Sequence, residues 1–245
     1  MSWMFPRSSG IHAPETREWI LGALYLPVFL FFLNFAILTY FPALGFPLTE
    51  PRNYFFANLL YMTVNSAVML LIFRRTLWQS LREFEGKMLL SVLIGFGMCY
   101  GANLVLTTAY TVLDIMPENY NQEAVNSLLG GYPLAMTLCT VVLAPLAEEC
   151  LFRGVLFAPL ARRCLPAAYA LSMFLFAGMH VFQFLGSMTA ANTILCLSLY
   201  LPASFSLCWV YQKTGNIWAC IFLHMFINFQ SVLASLLRSL MQAFL

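Results

Sequence analysis

Residues 134–160 read LAMTLCTVVLAPLAEECLFRGVLFAPL. This stretch is long enough to cross a bilayer as a helix, because about 20 mostly apolar residues suffice. Near its middle it carries two adjacent carboxylates, Glu148 and Glu149, and the cation Arg153. An ionised side chain at the bilayer centre costs roughly 2.5–3.5 kcal/mol on insertion scales. The stretch therefore predicts a helix whose charged groups face the interior of a helix bundle and are functional candidates.

The whole chain has the composition of an integral membrane protein. Of its 245 residues, 61% are hydrophobic and 9% are charged, and the mean hydropathy is +0.80. A soluble domain carries roughly 25% charged residues. A net charge of only +2, without a run of five or more Lys or Arg residues, argues against nucleic-acid binding. The seven cysteines lie in or beside apolar segments without CxxC spacing, so we interpret them as apolar helix residues.

Seven apolar runs predict an all-α fold, a polytopic transmembrane helix bundle of about seven spans (six to eight), because spans in lipid must satisfy their backbone internally. The predicted spans cover about residues 19–40, 54–73, 88–113, 132–160, 167–184, 190–211 and 217–237. Residues 1–132 form an N-terminal transmembrane region of about three spans. Residues 133–245 carry the chemistry in about four spans, within one continuous bundle. The first run is longer than the apolar core of a signal peptide and is expected to be a retained helix.

The positions of the basic residues predict the orientation in the membrane. With seven spans, nine of them fall on one side: Arg7, Arg17, Arg74, Arg75, Arg82, Lys87, Arg162, Arg163 and Lys213. The opposite side receives Arg52 and Arg238 alone. Because cytoplasmic loops carry an excess of Lys and Arg, we expect a cytoplasmic N-terminus. We expect the membrane to be a bacterial cytoplasmic membrane.

The spacing of the charged residues in the opening stretch separates two roles. Glu149 and Arg153 are four residues apart, share a helix face and are expected to pair. Glu148 points about 100° away around the helix and is expected to be the free, working carboxylate. A structural ion pair at the membrane surface is the alternative reading of these three residues.

Polar residues interrupt two further apolar spans. His180 lies in FAGMHVF, and His224 with Asn228 lies in FLHMFINF. Because His224 and Asn228 are four residues apart, they share a helix face and can present two polar groups to one point between helices. Taken singly, each is typical of a helix–helix contact. The third histidine, His12, lies in the polar N-terminal segment and is given no role.

These side chains are suited to hydrolysis of an amide bond. A carboxylate beside an imidazole can take a proton from water. Imidazole and carboxamide N–H groups can stabilise the oxyanion of a tetrahedral intermediate. Alternatively, Glu148, His180 and His224 could hold a zinc ion that activates the water. The residues alone leave both mechanisms open, although Asn228 suits an oxyanion better than a metal.

The order of three motifs resembles the CPBP family, which includes the type II CAAX prenyl endopeptidases and the Abi proteins of bacteriocin processing and immunity. The motifs are EExxxR at residues 148–153, FxxxH at 176–180 and HxxxN at 224–228. The resemblance covers roughly residues 133–230. The HExxH, GxGD and GxSG motifs of other intramembrane protease classes do not occur.

The resemblance implies an intramembrane endopeptidase. Glu148, helped by His180, would activate water, and His224 with Asn228 would form the oxyanion site. The other two charged residues, Glu149 and Arg153, would orient the helix. No cofactor is preferred, with zinc as the alternative.

We expect the partners to be a lipid bilayer and a peptide or protein substrate, lipid-modified or not, that arrives from the membrane or the cytoplasm. A non-enzymatic bacteriocin immunity or partner-binding protein is one alternative function. A proton-coupled transporter is another, because buried acids and histidines also mark proton relays.

Overall fold

A computed structural model describes residues 14–243, which contain helices and no strands. His12 and Arg7 lie outside the described residues. The all-α class is confirmed, and each of the seven predicted spans is a helix long and apolar enough to cross a membrane. The helices are α1 Thr16–Ala43, α2 Pro51–Ile72, α3 Arg74–Arg82, α4 Met88–Val112, α5 Tyr120–Gly131, α6 Pro133–Ala161, α7 Leu165–Phe182, α8 Ala190–Thr214 and α9 Ile217–Ala243.

Local sequence signals set the ends of several spans. Pro51 and Pro133 open α2 and α6, and Pro166 lies in the first turn of α7. Proline is tolerated there because the first N–H groups of a helix have no intrahelical acceptor. Thr189 caps α8 by accepting a hydrogen bond from a backbone N–H. Gly215 ends α8 with φ +62°, a left-handed conformation that glycine adopts without strain.

The connectors contain two helices that hydropathy did not predict. The first, α3, is short and amphipathic: Thr76, Leu77 and Ser80 are buried while its arginines are exposed. The second, α5, begins where the Asn119 side chain accepts a hydrogen bond from the N–H of Gln122 at 3.1 Å. Both are too short or too polar to register as apolar runs.

The first turn of α3 is anchored to α1 by a buried carboxylate. Glu18 is 4% exposed and accepts a hydrogen bond from the Arg75 N–H at 2.9 Å. It also contacts the N–H and the hydroxyl of Thr76. The N–H groups of Arg75 and Thr76 are two of the backbone donors that the start of a helix leaves without an intrahelical acceptor. Glu15, one turn earlier, pairs with the Arg75 guanidinium at 2.9 Å, and both side chains are exposed.

The other end of α3 is attached to the start of α9. Asn216 donates a side-chain hydrogen bond to the Ser80 carbonyl at 2.6 Å, and the Trp218 indole N–H donates to the Leu77 carbonyl at 2.8 Å. This short helix therefore joins the first and last spans on one face of the membrane protein.

The central helix α6 is irregular on both sides of its acidic pair. Wider π-helical turns occupy Cys139–Leu143 and Cys150–Phe157. Each segment is followed within two residues by a proline, Pro145 or Pro159. Proline removes one backbone donor and crowds the preceding turn, and a local π segment relieves both effects. Half of the most apolar window of α6 is buried, a larger fraction than in the other six spans.

One glycine sets a close helix contact. A Cβ at Gly95 in α4 would lie 2.6 Å from the Val210 side chain and 2.9 Å from that of Leu223, so α4 packs tightly against α8 and α9 there. From the sequence, Gly97 is also expected to be a point of close helix packing. That expectation is wrong, because this side of α4 faces away from the bundle and a Cβ at Gly97 would have no neighbour within 4 Å.

The seven spans alternate in direction and define two faces of the bundle. The basic face carries the start of α1, helix α3 and the connectors around residues 83–87, 162–164 and 215–216. The far face carries the connectors 44–50, 113–132 and 183–189 and the end of α9. Glu148 lies next to the midpoint of α6, about halfway between the two faces.

Candidate active site

A buried ion pair organises the polar centre of the bundle. Arg153 Nε lies 3.2 Å from Glu149 Oε2, and its Nη1 donates to Glu149 Oε1 at 3.3 Å. Both side chains are 0% exposed. Arg153 Nη2 also donates to the carbonyl and the hydroxyl of Ser204 at 3.1 and 3.3 Å, and the guanidinium lies 5.2 Å from the Phe176 ring centroid. Pairing and added hydrogen bonds offset the cost of burying both charges.

His224 bridges the two adjacent carboxylates. Its Nδ1 lies 2.7 Å from Glu149 Oε1, and its Nε2 lies 3.9 Å from Glu148 Oε2. Nδ1–H of His224 donates this hydrogen bond to the Glu149 carboxylate, which pairs with Arg153, and the contact fixes the orientation of the imidazole ring. The second nitrogen of His224 is thereby directed towards Glu148.

Glu148 has the environment of a carboxylate that is free to react. It lines a cavity and is 8% exposed, whereas Glu149 is fully buried. Its Oε2 atom has no hydrogen-bond partner among residues 14–243. A buried polar atom without a partner is rare in folded proteins and is satisfied by water or a ligand. Glu149 Oε2 also lacks a hydrogen bond, but it lies 3.2 Å from Arg153 Nε. The two neighbouring glutamates therefore differ in their surroundings: Glu149 is paired with a cation, and Glu148 lines the cavity.

His180 lines the same cavity from α7. The Phe176 carbonyl can only accept a hydrogen bond, so Nδ1 of His180 donates to it at 2.9 Å. In the neutral ring this leaves Nε2 as a proton acceptor. The imidazole stacks on Tyr200, with ring centroids 4.5 Å apart. Phe176, which the sequence indicated only as a packing residue, contacts both His180 and His224, with centroids 4.8 and 5.6 Å apart.

Asn228 also lines the cavity, but its direct partner is not His224. Its Nδ2 donates to the Thr140 carbonyl at 2.8 Å, in the first π segment of α6. His224, one turn earlier on α9, is directed instead to the two glutamates. The shared helix face therefore places both residues beside α6, where Asn228 contacts Thr140 and His224 contacts the two glutamates about two turns further along the helix.

The cavity measures about 360 Å³ and includes polar residues that sequence reasoning missed. Tyr200 supports His180, and α2 contributes Asn58, Tyr61 and Asn65. These three α2 residues are spaced by three and four positions and share one helix face. Polar residues at that spacing in an otherwise apolar span were the signal that could have identified this wall.

The described part of the chain does not bring a metal-ligand set together. Among residues 14–243, no three His, Cys, Asp or Glu side chains form a group that could hold a metal ion. Glu148, His180 and His224 therefore do not fit a three-ligand zinc site in this arrangement.

Comparisons with known proteins agree with the motif order. Residues 130–230 match the family model described as Rce1-like, type II CAAX prenyl endopeptidase. A protein of Bacillus subtilis (strain 168) named "Putative membrane peptidase YdiL" is 28% identical over 166 residues, which are 66% of this chain and 64% of that protein. No solved structure gives a match. In its motifs and over residues 130–230 the chain is thus similar to the Rce1-like, type II CAAX prenyl endopeptidases.

Proposed function

We propose that the protein is an intramembrane endopeptidase that hydrolyses a peptide bond in a membrane-associated or lipid-modified peptide or protein. The observation that carries the proposal is the pair of unlike glutamates at mid-membrane. Glu149 is neutralised by Arg153, while Glu148 lines a cavity with one oxygen unpaired. The relative from Bacillus subtilis, named "Putative membrane peptidase YdiL", supports the same class of reaction. We also propose that the protein lies in a bacterial cytoplasmic membrane.

In the proposed reaction, the Glu148 carboxylate removes a proton from a water molecule, and the water oxygen attacks the peptide carbonyl carbon. The resulting oxyanion accepts hydrogen bonds from the Asn228 amide and from His224 in its imidazolium form, in which Nδ1–H donates to Glu149 and Nε2–H donates to the oxyanion. Collapse of the intermediate breaks the C–N bond, and the proton held by Glu148 passes to the leaving amine. His180 helps Glu148 to hold the attacking water, since its Nε2 can accept a hydrogen bond.

The positions of the supporting groups agree with these roles. Glu149 holds His224 by Nδ1, which leaves Nε2 directed towards the reaction centre. Arg153 fixes Glu149 to α8 through Ser204. We also propose that the chemistry belongs to residues 133–245, while residues 1–132 complete the bundle and supply the α2 wall.

Replacing Glu148 tests the function directly. The Glu148→Gln variant keeps the shape of the side chain but cannot take a proton, so we expect cleavage to fall by about 10²–10⁴-fold. The measurement compares peptide termini in membranes and medium of cells that express wild type or variant at equal abundance. The matched control is Glu123→Gln, an exposed glutamate of α5 that does not line the cavity, and this variant should cleave as wild type does.

Full cleavage by Glu148→Gln would contradict the glutamate mechanism. If wild type itself produced no new termini, the endopeptidase proposal would fail and a non-enzymatic binding or immunity role would replace it.

Chelation tests the metal-free form of the mechanism. We expect purified enzyme to keep its peptidase activity after prolonged incubation with a strong chelator, because the described residues do not assemble three metal ligands. Restoration of a chelator-sensitive activity by added zinc would overturn this prediction and favour the zinc mechanism.

A further inference from the structure

The cavity occupies the half of the bundle that is near the far face. From α2 its lining begins at Tyr54, in the first turn at that face, and from α6 it runs from Met136 to Glu148. In α7, which runs in the opposite direction, the lining starts only at Leu175. Leu48, in the connector between α1 and α2, and one side of α5, with Gln122, Val125 and Leu128, lie at its outer end. Glu148 therefore forms the floor of a cavity whose walls extend towards the far face.

The half of the bundle near the basic face is filled with side chains. Beyond Glu148, the residues packed towards the basic face are at most 1% exposed: Phe73, Phe157, Tyr211, Ile217 and Ile221. The ion pair of Glu149 and Arg153 completes this layer. Of the described residues that line the cavity, none belongs to α3 or to a connector of the basic face. A solid core thus separates Glu148 from that side.

The cavity wall is chemically suited to a peptide backbone. It carries seven carboxamide side chains: Asn34, Asn58, Asn65, Asn121, Gln122, Gln183 and Asn228. Several of them already form hydrogen bonds within the bundle, as Asn58 and Asn228 do to backbone carbonyls. Each carboxamide has two N–H donors and one acceptor oxygen, and so keeps capacity for a peptide group. The described lining residues include no Lys or Arg, so the wall offers no cation to a free C-terminal carboxylate. It therefore favours an internal, extended segment of a peptide chain.

We propose that the substrate is an extended peptide segment that enters from the far face and lies along the carboxamide wall above Glu148. This inference rests on the proposed endopeptidase function. Under the positive-inside rule the basic face is cytoplasmic, so the far face is extracytoplasmic. The substrates are then exported or outer-leaflet peptides. The sequence had led us to expect entry from the membrane or the cytoplasm, and the closed basic half argues against the cytoplasmic route.

A native cysteine makes the sidedness measurable. Cys164 is exposed on the basic face between α6 and α7, whereas the other six cysteines are buried. In wild type, a membrane-impermeant maleimide should label Cys164 in inverted vesicles and not in right-side-out vesicles. That result fixes which face is cytoplasmic without any assay of proteolysis.

The cavity is then probed in a Cys164→Ser background. Asn58→Cys places a thiol on the α2 wall, and Ser231→Cys places one on α9, so that failure of one variant to fold leaves the other informative. We expect the same impermeant reagent to label both thiols in right-side-out vesicles only. Labelling in inverted vesicles only, or the absence of labelling in both vesicle types, would overturn the proposal.

The labelling result is independent of catalysis. If Glu148→Gln cleaved as wild type does, the proposed glutamate mechanism would be wrong, but the labelling would still report where the cavity opens. Conversely, labelling from the basic face would overturn the entry route while the hydrolytic mechanism stood.

Discussion

Two adjacent glutamates of identical chemistry acquire different properties in this bundle. Glu149 has three polar contacts, with Nε and Nη1 of Arg153 and with Nδ1 of His224. Glu148 faces a cavity and has a histidine nitrogen at 3.9 Å. The difference arises from the rotation of about 100° between successive helix residues. One turn of one helix thus provides both a carboxylate held by an ion pair and a carboxylate that lines the cavity.

Removing the cation tests how strongly the site depends on its anchor. The Arg153→Met variant leaves the Glu149 charge buried with only His224 as a polar partner, and breaking a buried pair in this way costs roughly 3–5 kcal/mol. We expect a clearly lower thermal unfolding midpoint in detergent. The control is Arg82→Met at the exposed end of α3, which should unfold close to wild type.

The double variant Glu149→Gln with Arg153→Met separates pairing from simple loss of packing. Because it removes both charges, its loss of stability should be smaller than the sum of the two single losses. Additive losses would show that the two side chains are not energetically coupled.

At this scale, sequence spacing predicted the Glu149–Arg153 contact but not the contacts of His224. Residues four apart in one helix share a face whatever the tertiary structure, so the intrahelical pair could be predicted. The 2.7 Å contact between His224 and Glu149 joins residues 75 positions apart. It depends on how α9 is rotated against α6, which no local pattern determines.

Among the elements, the seven spans were predicted because apolar length alone identifies a membrane helix. The two connector helices were missed for the opposite reason. In α3 the buried side is only three residues, and the helix is held by side chains from α1 and α9. Such a helix is stabilised by tertiary contacts, and its sequence alone carries little signal.

The Glu18 contact gives a prediction about α3. Glu18→Ala leaves two backbone N–H groups at the helix start without their buried acceptor, which costs roughly 1–3 kcal/mol. Glu15→Ala, at the residue that precedes the same helix, is a matched control, since Glu15 contacts the same Arg75 through an exposed pair that contributes only about 0–1 kcal/mol. Thermal unfolding in detergent should rank wild type and Glu15→Ala together, with Glu18→Ala below them. Equal midpoints for both variants would contradict the capping role.

The whole molecule combines a closed half and an open half. The closed half packs the buried ends of α2, α6, α8 and α9, and the open half holds a cavity about 360 Å³ in size. The sequence predicted that polar residues face the interior, but not the cavity, because its walls come from six different spans. Asn58 in α2 and Ser231 in α9 are more than 170 positions apart and line the same space.

The contact of α4 with the site-bearing helices gives a prediction at this scale. A methyl group at Gly95 would push the side chains of Val210 and Leu223 away from α4. Overpacking of this kind costs roughly 1–3 kcal/mol. Gly95→Ala should therefore lower the unfolding midpoint and weaken the association of α4 with α8 and α9. Gly97→Ala, two residues away with open space around it, should cause no loss. Similar losses in both variants would point to a general intolerance of α4 rather than to this contact.

The ion pair within α6 also constrains how the protein is made. When ribosomes release α6 to the insertion machinery, it carries three ionisable side chains that each cost roughly 2.5–3.5 kcal/mol at mid-membrane. Ser204, which binds Arg153, follows it by 51 residues, and His224 follows Glu149 by 75. Until those segments are synthesised, α6 lacks its final neighbours. The helix that bears the proposed catalytic carboxylate is thus one whose stable integration waits for the synthesis of α9, so that a chain without α9 cannot hold the assembled site.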